Sequence, residues 1–126
     1  MELKDKERIA RILQTIPDAE NNAQILIMSE GDNELGYVAV DMQSSVIRML
    51  KMEIFGCENL AILDDYGRLC ADSMLRAAAS YGATIGAYRI ESRIEALQEF
   101  FSGCGFIQST HKFISPLSNF IKICQN

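Results

Sequence analysis

A change of hydrophobic period part-way along the chain limits its fold more than any other feature. Between residues 24 and 55 apolar side chains follow strand spacing. Gln24 to Ser29 is a short apolar run, Gly36, Val38, Val40 and Met42 alternate with other residues, and Val46 to Phe55 is longer. Turn-rich text separates them, Glu30-Gly31-Asp32-Asn33-Glu34 and then Ser44-Ser45, so three antiparallel strands in sequence are the economical arrangement. On the third strand, Val46, Leu50, Met52 and Ile54 are expected on one face, with Ile47, Met49, Lys51 and Glu53 on the other. From Arg68 the period becomes helical, with Ala71, Met74, Leu75 and Ala78 on one stripe. Gly82 is placed to end that helix in the left-handed conformation. Ala77, Ala78 and Ala79 are small enough to let the helix lie close against a sheet. Thr84 to Ile90, apolar on both faces, then reads as a central strand covered on both sides.

The flanks complete the pattern. Lys4 to Ile16 puts Ile9, Ile12, Leu13 and Ile16 on one helical face, and Pro17 stops it. Ser92-Arg93-Ile94-Glu95 has the form of a capping box, followed by Ile94, Leu97, Phe101 and Cys104 on one stripe that Gly103 and Gly105 end. Phe106 to Ser115 and Phe120 to Cys124 read as two last strands joined around Pro116. The resulting order predicts an α/β (α+β) chain with a mixed, mostly antiparallel central sheet and helices on both faces. With 126 residues and 48% hydrophobic side chains, one domain spanning 1–126 with a single core is expected.

No run approaches the roughly 20 apolar residues of a membrane helix, and the charged start MELKDKER has no signal-peptide core, so a soluble protein with no membrane partner is expected. Cys57, Cys70, Cys104 and Cys124 are widely spread, without a C-x-x-C pair and with a single histidine. Reduced, mostly buried thiols in the cytoplasm suit that spacing better than a zinc site or a disulfide framework. The net charge of −5 argues against a partner that is mainly phosphate backbone, so no nucleic acid is expected.

This order resembles that of the GNAT-type N-acetyltransferases. Asp65-Tyr66-Gly67-Arg68, then Ser73-Met74-Leu75-Arg76-Ala77-Ala78 and Tyr81-Gly82-Ala83, looks like that family's loop and helix that hold the cofactor's pyrophosphate. Ala96-Leu97-Gln98-Glu99-Phe100-Phe101-Ser102-Gly103-Cys104-Gly105-Phe106 is similar to its second conserved helix, which ends in a Gly-Phe pair. The resemblance runs from Gln24 to the C-terminus. It implies a GNAT-like acyl-CoA N-acyltransferase fold and acetyl transfer from acetyl-CoA to an amine of a small molecule or peptide. Its implied cofactor residues are Met52 and Ile54, through main-chain pairing with the pantetheine arm between Val46–Phe55 and Thr84–Ile90, and Gly67, Arg68, Leu69, Cys70, Ala71 and Asp72 at the diphosphate. The family's two loop glycines fall on Cys70 and Asp72 in one alignment, and a shifted alignment makes Gly67 and Arg68 the phosphate contacts. Glu53 matches the strand glutamate that often serves as base, with Asp41 and Glu91 as weaker candidates. Phe101 stands where many members carry a tyrosine acid; Tyr81 or Tyr88 would have to substitute. Members begin with a strand and two helices where this chain offers Lys4 to Ile16, which implies a reduced acceptor half.

The departures at Cys70, Asp72 and Phe101 keep a second reading open: a catalytically inactive binding or regulatory module, with a second copy of the chain as one candidate partner. His111 is expected on a strand surface, without the Cys or His neighbours of a metal ligand. Cys70 at a helix N-terminus could have a lowered thiol pKa. Glu58, Asp64 and Asp65 form an acidic group beside the loop.

Overall fold

The computed structural model describes residues 2–109 and 112–120. Its first helix, α1 (Lys6–Leu13), is shorter at both ends than its apolar spacing. Asp5 caps it by accepting the N–H groups of Glu7 and Arg8 at 3.1 and 3.3 Å. Ile9, Ile12, Leu13 and the following Ile16 do form one apolar face, against Ile25, Ile27, Tyr37 and Ala39.

Strands β1 (Gln24–Glu30), β2 (Asn33–Gln43) and β3 (Val46–Ile54) form the expected antiparallel meander. Ser44 and Ser45 turn β2 into β3 with φ of 52° and 62°, the two left-handed residues of a type I′-like hairpin. Helix α2 (Asp65–Thr84) crosses to β4 (Arg89–Ser92), which pairs parallel with β3. A 3₁₀ turn at Glu95–Leu97 leads into α3 (Gln98–Gly103), then β5 (Ile107–Ser109) and β6 (Lys112–Pro116). The sheet order is β1-β2-β3-β4-β6-β5, antiparallel except at β3–β4. One face is covered by α1. The other holds the larger core, in which Cys70, Met74, Leu75 and Ala78 of α2 and Leu97 and Phe101 from the α3 segment meet Val38, Val40, Ile47 and Met49.

Several boundaries differ from the sequence reading. Helix α2 starts at Asp65 rather than after Arg68, and it passes through Gly82 instead of ending there. Gly82 has a packing role: a Cβ would lie 2.7 Å from Ile47, so glycine lets α2 approach β3 closely. The left-handed residue is Gly86, at φ 97°. That turn uses the positions expected to begin the next strand, so β4 is Arg89–Ser92 rather than Thr84 to Ile90. The capping box does not form: Ser92 ends β4 and its hydroxyl accepts the Ile94 N–H at 3.2 Å. The last strand pair lies within residues 107–116; the strand expected over Phe120 to Cys124 falls, beyond Phe120, outside the described residues, as does His111.

The facing of β3 also changes, for a local reason. Ala39 pairs with Lys51 and Val40 with Met49, so Leu50 is an extra residue, a β-bulge. A one-residue insertion reverses which side chains point to which face. Ile47, Met49, Met52 and Ile54 therefore share the α2 face, while Leu50 packs with the α1-side cluster.

Candidate functional site

The bulge falls where β3 loses a neighbour. Pairing with β4 ends at Met49↔Ser92, followed by one bond from the Arg93 N–H to the Met49 carbonyl at 3.3 Å. Beyond it, Lys51 to Ile54 keep β2 on one edge and, among the described residues, have no strand on the other, only an isolated bridge of Ile54 to Cys57. A groove of about 400 Å³ follows this stretch, walled by Lys51 to Glu58 and Leu60. The Met52 and Ile54 side chains are buried in the core, so these residues offer the groove their main chain.

A second groove, of about 350 Å³, lies under α1 and is lined by Arg8, Arg11, Ile12, Thr15, Tyr37, Lys51, Glu53 and Phe55. Lys51, Glu53 and Phe55 line both grooves. Glu53 is exposed. Its neighbour is Tyr37, directly opposite on β2. Burial first, then the hydrogen bond and charge of Glu53, raise the Tyr37 phenol well above its ordinary pKa. Arg8 is ion-paired with Glu34 at 2.7 Å, which raises the arginine and lowers the carboxyl. Lys51 donates to the Thr15 hydroxyl at 3.0 Å.

Tyr37 has a measurable consequence. An acid held protonated by the fold stabilises it fully below its unfolded pKa, about 10, and the contribution is lost as pH rises above that. Stability is expected to fall above pH ~10 by up to about 1.4 kcal/mol per pH unit for this one group. Urea midpoints at pH 9 and 11 should show a smaller drop for Tyr37→Phe than for the native chain; equal drops would remove Tyr37 as the cause.

The residues expected at a diphosphate do not form a loop. Gly67 to Asp72 lie in the first two turns of α2. Cys70 and Ala71 are core residues, which also ends the case for a reactive Cys70 thiol at a helix terminus. Leu69 is exposed, and Asp72 faces solvent with Arg76 at 2.9 Å, so it brings no carboxylate to a helix end. Arg68 lines a crevice with Leu60, Leu63 and Glu99. The Gly67 N–H is taken by the Asp64 carboxylate at 2.7 Å, because Asp64 is the N-cap. The acidic group at Asp64 and Asp65 thus occupies the end of α2 where helix amides would favour an anion. A further negative charge about 4 Å from such a carboxylate costs roughly 1–4 kcal/mol at intermediate dielectric. The main chain of β3 can receive a pantetheine arm, whereas Asp64, by holding the Gly67 N–H, disfavours a diphosphate at the N-terminus of α2.

The remaining candidates are engaged elsewhere. Asp41 is ion-paired with Arg48 at 2.6 Å, and Glu91 meets Arg93 and Lys112 at 3.3 and 3.2 Å. Phe101 is fully buried among Phe100, Phe106 and Phe113, with ring centroids 4.9–5.9 Å apart. Tyr81 and Tyr88 line neither groove. Among the described residues no group of three His, Cys, Asp or Glu could hold a metal ion, and no helix is long and apolar enough to cross a membrane.

No family model and no curated protein matches the sequence. Solved structures do match the fold. An acetyltransferase assignment in the GNAT family from Desulfovibrio desulfuricans belongs to a structure that superposes with a TM-score of 0.59 at 9% identity, over 89% of this chain and 76% of that one. The chain has the GNAT acyltransferase fold. A Bacillus subtilis acetyltransferase in complex with CoA shares it, at TM-score 0.56 and 14% identity, over 86% of this chain and 66% of that one. So does a chain of the KacTA–DNA complex, at TM-score 0.58 and 14% identity, over 92% of this chain and 83% of that one.

The last likeness corrects the expectation about partners. GNAT-fold chains occur in the KacTA–DNA complex and in the AtaT–AtaR complex bound to DNA, and the AtaT toxin is also seen on the C-terminus of its antitoxin AtaR. Excluding nucleic acid, and naming only a small-molecule or peptide amine and a second copy of the chain, is therefore too narrow. A net charge summed over a whole chain does not report the local cationic patches that meet phosphates, nor the surfaces that meet another protein.

Proposed function

We propose that the chain transfers an acyl group from a pantetheine thioester to an amine, with acetyl-CoA as donor and Glu53 as the group that takes up the proton. The observation that carries this reading is the place of Glu53 in the wall common to two grooves, one along the free edge of β3 and one under α1. A thioester held in the first groove would supply an activated acyl carbonyl. Main-chain groups of Lys51 to Ile54 on the edge that faces away from β2 can pair with an extended amide-bearing arm as an added strand would, apart from the Ile54 carbonyl, which accepts the Cys57 N–H at 3.0 Å. An ammonium entering from the α1 side meets the Glu53 carboxylate, which accepts one proton directly or through water; the freed amine would form the new C–N bond as the thioester C–S bond breaks, and the departing thiolate would take the second proton from nitrogen and leave as the thiol. The free thiols of Cys57, Cys70 and Cys104 support a reducing, cytoplasmic setting.

A second reading, a domain that binds partners without turnover, is favoured by the Asp64 carboxylate at the N-terminus of α2 and by the burial of Phe101. Acetyl-CoA separates the two. At 100 times its Kd it should stabilise the fold by about 2.7 kcal/mol, read as a rise in Tm. Asp64→Ser keeps a capping hydroxyl and removes the charge, so acetyl-CoA should bind it roughly tenfold more tightly. No thermal shift for either chain at millimolar acetyl-CoA sinks the transferase, and unchanged affinity in Asp64→Ser would move the diphosphate away from α2.

A further inference from the structure

The groove under α1 has a charge balance that the molecule as a whole does not. The chain carries −5 overall, yet the lining of this groove has three cations, Arg8, Arg11 and Lys51, against the single carboxylate of Glu53. Arg8 is committed to Glu34. Lys51 is not neutralised by its contact, because the Thr15 hydroxyl that accepts from it is uncharged. Arg11 makes no ion pair among the described residues and lies one helical turn from Arg8 on the same side of α1.

Lys51 and Glu53 alternate with Met52 on β3, so both project to the α1 side, on the order of 7 Å apart along the strand. The groove therefore presents a proton acceptor at one point and two cations beside it. We propose that the amine taken here carries its own anionic group, a carboxylate or a phosphate, held by Arg11 and Lys51 while its ammonium faces Glu53. This rests on the acyl-transfer reading and adds the class of acceptor to it. An amine without the anion leaves two cations unmatched, and one whose charges are separated by a single carbon is too short to reach both.

The test uses paired probes on the full chain. The pairs are 5-aminopentanoate against pentylamine, and 3-aminopropyl phosphate against 3-aminopropanol, each followed by calorimetric binding and by acetyl-CoA turnover. Each anionic probe should bind about tenfold or more tightly than its partner, as expected for one added charge-assisted contact. The stronger of the two arms tells carboxylate from phosphate. Arg11→Gln, on an exposed helix position, should erase most of that preference, and Arg76→Gln on α2 should leave it intact. Equal binding within both pairs, or a preference that survives Arg11→Gln, overturns the proposal whatever the turnover. Binding with the expected Arg11 dependence but without acyl transfer leaves the anion site standing and removes the transferase reading.

Discussion

Truncating Asp41 to alanine is expected to remove about 3–5 kcal/mol of folding stability, the cost of leaving one member of a buried ion pair alone. Arg48 donates Nε and Nη2 to the two Asp41 oxygens at 2.7 and 2.6 Å, with side-chain exposures of 3% and 0%. The pair lies on the sheet face that α1 covers, and it reaches into the connection between α1 and β1. Arg48 also donates to the Asp18 carbonyl at 3.2 Å, and Asp41 accepts the Glu20 N–H at 2.8 Å. Loss of either charge leaves the other unpaired and releases the connection that sets α1 over its groove. A domain of this size has only about 5–15 kcal/mol in total, so Asp41→Ala alone could unfold it. The double variant Asp41→Ala with Arg48→Met keeps the idea falsifiable, because removing both charges should recover most of the loss. Urea unfolding of the three chains decides the matter; a double variant no more stable than Asp41→Ala would show that the stabilisation lies in the contacts to Asp18 and Glu20 rather than in the pair.

How far these features could be read in the sequence depends on whether they are local. The apolar face of α1 and the meander of β1 to β3 follow from periods of 3.6 and 2 within single segments, and both were legible. The bulge at Leu50 was not, because two residues facing one is a property of the β2–β3 ladder and leaves no mark on β3 alone. Missing it put Ile47 and Met49 on the face opposite Met52 and Ile54, whereas all four share one face. Tyr37 was missed for a related reason: only cross-strand register puts it opposite Glu53. The start of α2 did leave a signal. Asp64 three residues before Gly67 is an N-cap pattern, but the apolar stripe read from the sequence begins only at Ala71, which puts the helix start too late and lays a cofactor loop over its first turns. Of the acidic group Glu58, Asp64 and Asp65, it is Asp64 that caps the helix.

Glu53→Gln is expected to lower kcat by about 10²–10⁴-fold, the range for loss of a positioned proton-transfer group, with little change in acetyl-CoA binding. The substitution is nearly isosteric at an exposed position, so the fold should tolerate it. Glutamine can still accept the Tyr37 hydroxyl but cannot take a proton, which separates a base from a residue that only orients its neighbour. Tyr37→Phe supplies the contrast. It removes the phenol from Glu53 while leaving the carboxylate in the groove wall, so its turnover should stay well above that of Glu53→Gln. A Glu53→Gln chain that keeps more than a tenth of the native rate would remove the base from this position, and the junction of the two grooves would then be a binding surface. If both variants fall equally, Glu53 and Tyr37 act as one unit that shapes the opening between the grooves. The pH profile then decides: a base leaves an acidic limb that Glu53→Gln abolishes, whereas a purely structural pair leaves its form unchanged at lower amplitude.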